Sequence, residues 1–401
     1  MSEEFSTVQA AVDSIGRGEV VIVVDAEDRE NEGDFICAAE KATTENMNLL
    51  LSGRGDFCLS ILPDTAARLE LAPLADTNNT PLGTAFMTPL DHRDCRTGIT
   101  ADERMMTVRA IADPHSSPAD FVRPGHVHVL VAKEGGVLRR AGHTEASMDL
   151  ARMAGLASAG VLCEILDETG NRGSRDFLFA VAKENNLEII SIEQLIAHRR
   201  VNEKLVHRNA EAKLPTKYGE LDIIVYAVDF EGNEPVALVL GDPSSNENPP
   251  LVRMHSSCFT GDLISSLRCD CGDQLHMALD MISKEGCGVL VYLPQEGRGI
   301  GLAEKIRAYA LQEQGMDTVE ANHALGFKAD MRDYGVGLQI LKDLGLSQLR
   351  LLTNNPKKLE AFNLRGYDVT VVDQVPIVAT VNEHNERYLE TKREKMGHQL
   401  P

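Results

Sequence analysis

Along the first half of the chain, continuous apolar runs of strand length alternate with the three- to four-residue apolar spacing of amphipathic helices. The run VVIVV at residues 20–24 is typical of a strand buried on both faces of a sheet. This pattern predicts strands at residues 20–24, 127–133, 161–165 and 189–192. It predicts helices at residues 8–17, 44–51, 102–112, 145–154, 177–183 and 192–199, with Thr100 as the N-cap of the third.

The second half begins with strands and then alternates strand and helix. Strands are predicted at residues 221–228, 236–240, 251–255, 288–293 and 349–352. Helices are predicted at residues 272–285, 303–314 and 336–344, and a further helix opens at Pro356, a residue favoured in the first turn. The fold class predicted is therefore α/β (α+β), with two mixed domains that each have their own sheet and flanking helices.

The segment at residues 198–215 is charged, has few bulky apolar residues and ends in a proline. This composition predicts a linker, although a charged helix that crosses between domains is an alternative. We therefore expect one domain at residues 1–204 and a second at residues 205–401. A chain of 401 residues is too long for one ordinary core, which also favours two domains.

Composition narrows the function classes. The net charge of −21 argues against nucleic-acid binding, but local cationic groups could still hold a small phosphorylated ligand. No apolar run approaches the roughly 18 residues that span a bilayer, and the acidic start MSEEFSTVQ lacks the features of a signal peptide. The irregularly spaced cysteines favour reduced thiols, so we expect a cytoplasmic protein without membrane partners.

Three cysteines are spaced C-x10-C-x-C at Cys258, Cys269 and Cys271. Thiolates suit zinc, and three protein ligands leave a fourth position for water, as in catalytic zinc sites. The alternatives are buried apolar cysteines, or a closed structural site completed by His255 or His276.

In the first half, residues 25–34 pack six acids and one arginine after the apolar run. Glu30, Glu32 and Asp34 alternate, so one strand face could offer carboxylates to a hard cation such as Mg²⁺; a solvated acidic loop is the alternative.

His126 and His143 each follow a glycine near an arginine, which suits the approach of a phosphate. Glu164 ends an apolar strand, where a carboxylate is costly to bury without a partner.

The segments EDRENEGD, TGIT-x5-M-T-x-R, RPGH, RRAGHTEA and GVLCE resemble 3,4-dihydroxy-2-butanone 4-phosphate synthase over roughly residues 5–200. The resemblance implies a lyase that converts ribulose 5-phosphate with Mg²⁺ or Mn²⁺ held by Glu30 and His143. It also implies His126 and Glu164 as catalytic groups, and Cys58 matches a family position. Implied substrate contacts are Arg29, Glu30, Asp34, Arg140, Ala141, Gly142, His143, Thr144 and Glu164.

Three departures distinguish the chain from this family. The family usually has an aromatic residue and a proline where His128 and Val129 stand. One family threonine is replaced by Met106, and residues 171–174 read NRGS in place of TMAR. These departures motivate an alternative in which the first half is a structural or dimerising domain.

In the second half, QEGRGIG follows a predicted buried strand, and its three glycines and one arginine suit a phosphate cradle. Asp330 and Arg332 occupy alternate positions, and TNNPKK offers backbone N–H groups and lysines at a helix start. Together with the cysteines, these motifs describe a zinc centre, a phosphate clamp and an acid–cation pair.

These motifs resemble GTP cyclohydrolase II almost continuously over about residues 208–400, in RMHSSCFTGD, SLRCDCGDQL, QEGRGIGL, TVEANHALGF, AD-x-RDY, LLTNNPKK and the end KREKMGH. The resemblance implies a hydrolase with Zn²⁺ on Cys258, Cys269 and Cys271, and with Mg²⁺ accompanying GTP. Asp330 would accept a proton, Arg332 would be a nucleophile or an electrostatic stabiliser, and Tyr309 matches a family position. Implied GTP contacts are Arg253, Met254, His255, Ser256, Ser257, Gln274, Glu296, Gly297, Arg298, Thr318, Thr353 and Lys358.

Both activities in one chain are similar to the bifunctional family of riboflavin biosynthesis, which implies a homodimer. A third hypothesis, a purely structural zinc module, predicts that GTP turnover would not depend on Asp330.

Overall fold

The apolar run of the first half forms strand β1 (Val21–Val24), and all four of its side chains are buried. Ile22 and Val24 pack into one hydrophobic cluster, whereas Val21 and Val23 pack into another. Successive side chains of a strand point to opposite faces, so both faces of the sheet at this strand are covered.

The computed structural model describes residues 4–80, 82–230, 232–246, 248–328, 330–332, 334–362, 368–379, 381–397 and 399. The chain divides into two compact units, residues 1–200 and residues 201–401. Within the described ranges, no helix is both long enough and apolar enough to cross a membrane.

The first unit is built on one mixed seven-stranded sheet. Its remaining strands are β2 (Gly33–Ala38), β3 (Arg54–Ile61), β4 (Ala85–His92), β5 (Phe121–Val131), β6 (Ala159–Ile165) and β7 (Ile189–Ser191). The strand order is β4-β5-β3-β6-β2-β1-β7, and β1 pairs antiparallel with β2 and parallel with β7. Its helices are α1 (Val8–Arg17), α2 (Thr44–Ser52), α3 (Pro63–Arg68), α4 (Ala101–Ala112), α5 (His143–Met153), α6 (Arg175–Glu184) and α7 (Ile192–Asn202).

The second unit also has a mixed seven-stranded sheet. Its strands are β8 (Val206–Thr216), β9 (Gly219–Val228), β10 (Val236–Leu240), β11 (Leu251–Ser256), β12 (Gly288–Leu293), β13 (Gln348–Leu352) and β14 (Thr370–Val375), in the order β14-β13-β11-β12-β10-β9-β8. Its helices are α8 (Cys271–Glu285), α9 (Leu302–Glu313), α10 (Thr318–Ala324), α11 (Gly335–Asp343), α12 (Pro356–Phe362) and α13 (Glu386–Met396).

The structure confirms the predicted fold class and most predicted elements. Helix α1 has the predicted bounds. Thr100 caps α4: its hydroxyl accepts a hydrogen bond from the backbone N–H of Glu103, and the Glu103 carboxylate accepts one from the backbone N–H of Thr100. Residues 33–34 of the acidic segment begin strand β2, which the pattern did not predict. Strands β3, β4, β8 and β14 and helices α3, α10 and α13 were also not predicted.

The predicted linker at residues 198–215 is wrong. Helix α7 continues to Asn202, and residues 206–216 form β8, which pairs antiparallel with β9 along its length. β8 is the edge strand of its sheet, and most of its side chains are exposed. An edge strand with exposed side chains can be polar and still satisfy its backbone in the ladder, so its composition resembled a linker.

A buried ion pair anchors helix α7. Arg199 and Asp149 are each about 1% exposed, and the guanidinium donates to the carboxylate at 2.7 Å. We expect Arg199→Met to lower the free energy of unfolding of the first unit by about 3–5 kcal/mol, because it leaves a buried carboxylate without its main partner. Urea unfolding followed by circular dichroism measures this. Lys183→Met, at an exposed position on α6, is the control, and an equal effect of both substitutions would contradict the expectation.

Candidate active sites

The first unit contains a polar cavity at the loop between β1 and β2. The walls come from β2, β3 and β6 and from the first turn of α5. Seven of the residues predicted for substrate or metal line it: Arg29, Glu30, Asp34, Arg140, His143, Thr144 and Glu164.

Asp25 shapes the loop of this cavity, although the sequence analysis did not assign it a role. Its buried carboxylate accepts hydrogen bonds from the backbone N–H groups of Glu30 at 3.0 Å and Glu32 at 2.8 Å. Arg29 donates to the same carboxylate at 3.0 Å and also pairs with Glu30. The position of Asp25 directly after a buried strand was the signal that could have identified this residue from the sequence.

Asp25, Glu30 and His143 offer donor atoms that all lie within 4.8 Å of one another. Burial lowers the pKa of His143 to about 4, which leaves its imidazole in the neutral form that binds metals. Neither His143 Nε2 nor Asp34 Oδ1 has a hydrogen-bond partner among the described residues, and both atoms are buried. Two carboxylates, an imidazole and unpartnered buried atoms fit a divalent cation.

Two further carboxylates of this cavity lie side by side on adjacent strands. Asp34 and Glu164 are register partners in β2 and β6. Burial raises the pKa of both groups, and the charge of Glu164 raises that of Asp34 further. A carboxylate with a raised pKa can exchange a proton closer to neutral pH. Gly55 permits this arrangement, since a Cβ there would lie 2.5 Å from Glu164 Oε2.

The predicted loop Arg140–Thr144 leads into α5, with Gly142 as N-cap and His143 as the first helical residue. Arg140 donates to Glu145 at 2.7 Å and to the Thr84 hydroxyl at 2.9 Å, so the guanidinium is held at the cavity wall. Ala141 and Gly142 form the turn and do not line the cavity. A helix N-terminus beside an arginine suits an anion such as a phosphate.

His126 lies outside the described lining of this cavity. Its Nδ1 is 2.7 Å from Asp91 Oδ2, on the neighbouring strand β4. His128, one of the departures from the family, lies 2.9 Å from Asp56, a residue that does line the cavity. Asp56 and His128, together with Cys58, form a second group of potential metal ligands within 4.8 Å.

In the second unit, the three predicted cysteines come together. The donor atoms of Cys258, Cys269 and Cys271 lie within 4.8 Å of one another, and the first two sulfurs are 3.7 Å apart. Gly261 lies in the short π-helical turn Phe259–Leu263, which wraps around the sulfurs. A Cβ at Gly261 would lie 3.0 Å from the sulfur of Cys269, so a side chain would crowd the cluster. A compact set of three thiols fits zinc.

The structure also tests the proposed fourth ligands. His255 Nε2 is 3.1 Å from Asp262, and His276 Nδ1 is 2.8 Å from the Tyr218 hydroxyl. Among the described residues, no histidine or carboxylate joins the three cysteines as a metal-ligating group. Three cysteines without such a group are compatible with an open zinc site, which stays a prediction.

Asp262 organises the residues around the cysteines. Its carboxylate accepts the backbone N–H of Cys258 at 2.9 Å and the hydroxyl of Tyr292 at 2.9 Å, in addition to its contact with His255. The His255 and Tyr292 rings stack, with centroids 5.6 Å apart. Asp262 is the last residue of the motif RMHSSCFTGD, but the sequence did not indicate this role.

Lys305 places a cation against the cysteine cluster. Its ammonium is 3.1 Å from Cys258 Sγ and donates to Glu296 at 2.7 Å. Burial opposes the charge, but Glu296 and Cys258 raise the pKa of Lys305, so the ammonium stays protonated. Hydrogen bonds from Cys269 and Cys271, together with Lys305, lower the pKa of Cys258. Lys305 was not identified from the sequence, where it is one lysine on an ordinary helix.

The QEGRGIG segment forms a tight turn at Glu296–Gly299 beside the cysteines. Gly297, Arg298 and Gly299 have φ angles of 62°, 63° and 94°. The left-handed conformation is accessible to glycine but costs a residue such as arginine about 1–2 kcal/mol. The turn holds Arg298 in the wall of the cavity.

Eleven of the twelve predicted GTP contacts line this cavity together with the three cysteines: Arg253, His255, Ser256, Ser257, Gln274, Glu296, Gly297, Arg298, Thr318, Thr353 and Lys358. Met254 does not line it, and its side chain is buried in the core. Its carbonyl accepts the ammonium of Lys358 at 2.6 Å. Burial and the neighbouring Arg253 lower the pKa of Lys358.

Asp330 and Arg332 form a bidentate pair with distances of 2.9 Å and 2.6 Å. Arg332 lines the cavity, whereas Asp330 is not among its lining residues. Burial opposes both charges, but the pairing lowers the pKa of Asp330, and Tyr334 together with Asp330 raises that of Arg332. Arg332 is therefore held protonated, which favours electrostatic stabilisation over nucleophilic attack.

Comparison with known proteins gives two family matches. Residues 9–198 match the family described as 3,4-dihydroxy-2-butanone 4-phosphate synthase, and residues 207–376 match GTP cyclohydrolase II.

Relatives of similar length cover both matched regions. The chain is 50% identical to the riboflavin biosynthesis protein RibBA of Bacillus subtilis over 99% of each chain, and 52% identical to RibBA of Bacillus cereus over the same shares. Among solved structures, it is similar to RibBX, a two domain 3,4-dihydroxy-2-butanone 4-phosphate synthase from A. baumannii. That similarity has a TM-score of 0.70 at 33% identity and covers 92% of this chain and 99% of the other.

The role of Asp25 leads to a prediction about cation binding. We expect Asp25→Ala to weaken Mg²⁺ or Mn²⁺ binding by about 10- to 100-fold, because the loop loses the acceptor that orients Glu30. Isothermal titration calorimetry measures the change. The control is Glu27→Ala, which removes an exposed carboxylate from the same loop. Equal affinities for Asp25→Ala and the unmodified chain would contradict this role.

The contacts of Asp262 lead to a prediction about zinc. We expect Asp262→Asn to speed zinc loss to a chelator by about 10- to 100-fold, since one of the bonds that orient Cys258, Tyr292 and His255 is lost. The rate is followed by absorbance of a chromogenic chelator. Asp280→Asn, at an exposed position on α8, is expected to lose zinc as slowly as the unmodified chain, and a common rate for all three proteins would refute the prediction.

Proposed function

The chain belongs to the family of bifunctional riboflavin biosynthesis proteins, and from this premise we propose which residues of each half carry out the two reactions. The chain is an enzyme with a lyase and a hydrolase activity. The first converts D-ribulose 5-phosphate to L-3,4-dihydroxy-2-butanone 4-phosphate and formate. The second hydrolyses GTP to 2,5-diamino-6-(5-phosphoribosylamino)pyrimidin-4-one, formate and pyrophosphate.

The alternative of an inactive first half is not favoured. The synthase match extends over nearly the whole of that half, and its predicted cation ligands meet in one cavity. We assign residues 1–204 to the synthase domain and residues 205–401 to the cyclohydrolase domain. The division into compact units at residue 200 and the family matches ending at 198 and beginning at 207 support this assignment.

In the synthase cavity, Glu30 and His143, with Asp25 beside them, would hold Mg²⁺ or Mn²⁺. Such a cation, when bound, polarises the oxygens of the ketose phosphate and so acidifies the adjacent C–H. Glu164 is the proposed base, because its raised pKa brings proton transfer closer to neutral pH. Asp34 is the register partner of Glu164 on β2, and burial raises the pKa of its carboxyl group as well.

The sugar phosphate would be held by cationic and backbone groups of the same cavity. Arg29 and Arg140 are the cations in its wall, and Ala141–Thr144 present the N-terminus of α5 to the phosphate. His126 keeps its proposed catalytic role from the family resemblance alone. Its pairing with Asp91 would fix the orientation of the imidazole.

In the cyclohydrolase cavity, Cys258, Cys269 and Cys271 would hold Zn²⁺. When bound there, zinc would lower the pKa of a coordinated water towards 7, which is the chemistry that opening the imidazole ring of guanine requires. Asp330 is the proposed proton acceptor, since its lowered pKa keeps it ionised. Arg332 would stabilise the charge that develops on the α-phosphate.

The triphosphate, with its accompanying Mg²⁺, would bind to the cationic wall formed by Arg253, Arg298 and Lys358. Arg253 Nε and His255 Nδ1 are buried and lack hydrogen-bond partners among the described residues, so they are available to a polar ligand. The remaining contacts would come from Ser256, Ser257, Gln274, Glu296, Gly297, Thr318 and Thr353, with Met254 contributing only its backbone.

We propose further that the chain acts as a homodimer in the cytoplasm. All eight cysteines are free thiols, as expected in a reducing compartment. Leu263, Ile264 and Leu267 are 73%, 63% and 57% exposed beside the zinc site, and an exposed apolar segment of this kind suits a protein contact.

The coexistence of two separate sites is the observation that carries this proposal, and a paired formate assay tests it. We expect formate from ribulose 5-phosphate with Mg²⁺, and independently from GTP with Mg²⁺ and zinc. Glu30→Gln should lower only the first rate and Asp330→Asn only the second, each by about 100-fold or more.

Each variant is the control for the other half. Mass spectrometry identifies the products. If the unmodified chain releases formate from GTP but not from ribulose 5-phosphate, the first half is a structural domain. If the Asp330→Asn variant turns over GTP at the normal rate, the three cysteines belong to a structural zinc module.

A further inference from the structure

Helix α13 lies outside the matched cyclohydrolase region, which ends at residue 376. Two of its side chains, Tyr388 and Lys392, nevertheless line the second cavity beside the proposed GTP contacts. The C-terminal helix is therefore part of the wall of this site, and no role has been assigned to it above.

Several contacts fix α13 to the body of the second unit. Lys395 forms ion pairs with Asp317 and Glu320 at the start of α10, the helix that also carries Thr318. Beyond the helix, the backbone N–H of Gln399 donates to the carbonyl of Asn354 at 2.9 Å. These contacts hold the C-terminal end of the helix against the body of the unit.

Lys392 is the central residue of that inner face. It is only 8% exposed, and its ammonium donates to Asp270 Oδ1 at 2.6 Å. Asp270 is also buried and lies between the two cysteines Cys269 and Cys271. Burying two charges is tolerated only when they are paired, so each of these residues depends on the other.

The pair continues into the proposed GTP site through a chain of hydrogen bonds. Asp270 Oδ2 accepts the side-chain amide of Gln274 at 2.7 Å. The amide oxygen of Gln274 in turn accepts Arg253 Nη2 at 2.5 Å. A carboxylate can only accept hydrogen bonds, so Asp270 dictates that the NH₂ group of Gln274 faces it and the oxygen faces Arg253.

Tyr388 extends the same wall towards the turn Glu296–Gly299, which holds Arg298. Its ring centroid lies 4.6 Å from the ammonium of Lys392 and 5.8 Å from the guanidinium of Arg298. Cations at these distances are attracted to the face of an aromatic ring. Helix α13 thus contacts both the Gln274–Arg253 side of the cavity and the Arg298 turn.

We propose that helix α13 closes the nucleotide cavity, and that Lys392 is a positioning residue that orients Gln274 and Arg253 for GTP through Asp270. This inference rests on the proposed GTP site. Without the ammonium, Asp270 would be a buried charge that lacks its partner and would draw Arg253 or water to itself. Arg253 would then leave the amide oxygen of Gln274, and both side chains would lose the positions that they hold for GTP.

Binding of GTP to variants in an Asp330→Asn background tests this, because that background should bind GTP without turning it over. We expect Lys392→Met to weaken GTP binding by about 10-fold or more, and Lys392→Arg to restore much of the affinity, since arginine can still pair with Asp270. Arg393→Met, at an exposed neighbouring position, is the matched control and should bind as the parent does. Isothermal titration calorimetry gives the affinities.

Two further measurements separate positioning from general support of the fold. Zinc content and the synthase rate should be the same in every variant. Hydrogen exchange in α13 should slow when GTP binds to the parent, and slow less in Lys392→Met. Unchanged GTP affinity in Lys392→Met, or loss of its zinc, would overturn the positioning role. A parent that binds no GTP would overturn the proposed GTP site and this inference with it.

Discussion

Charge buried next to apolar strands is the constraint on which both halves of this enzyme depend. A buried carboxylate is tolerated only when it accepts hydrogen bonds or faces a cation. Asp25 follows the fully buried strand β1 and satisfies this requirement by folding the next loop around itself. Asp262 does the same near the end of β11, where its bonds reach Cys258, His255 and Tyr292. In each half, a residue that needs partners organises the residues that carry the chemistry.

The two cavities have opposite electrostatic character. In the synthase cavity, burial raises the pKa of Asp34 and Glu164, and repulsion from neighbouring carboxylates raises both further, so a cation would complete the site. In the cyclohydrolase cavity, burial lowers the pKa of Lys358 and Arg253, and repulsion from neighbouring cations such as Arg332 lowers both further. A polyphosphate would relieve that repulsion. Each cavity is therefore complementary to the charge of its proposed ligand, even though the chain as a whole is strongly acidic.

Backbone geometry sets the distances within both sites. Gly55 allows the Glu164 carboxylate to approach a neighbouring strand, and Gly261 allows a turn to wrap around three sulfurs. At Arg298 the backbone adopts a left-handed conformation that its side chain does not favour. Strain of this kind persists only where the surrounding structure holds it, and here it lies in the wall of the proposed GTP site.

The fold class, most central strands and helices, and the three cysteines could be predicted from the amino-acid sequence alone, because these depend on local periodicity and on residue type. Most of the contact residues predicted from contiguous motifs line one of the two cavities. Asp25, Asp262, Lys305 and Lys392 were not identified from the sequence, because their roles arise from partners far away in the chain or from the backbone of a folded loop. β8 was mistaken for a linker because an exposed edge strand has no apolar pattern. These features became apparent only in the folded structure, because burial and pairing depend on which residues are neighbours in space.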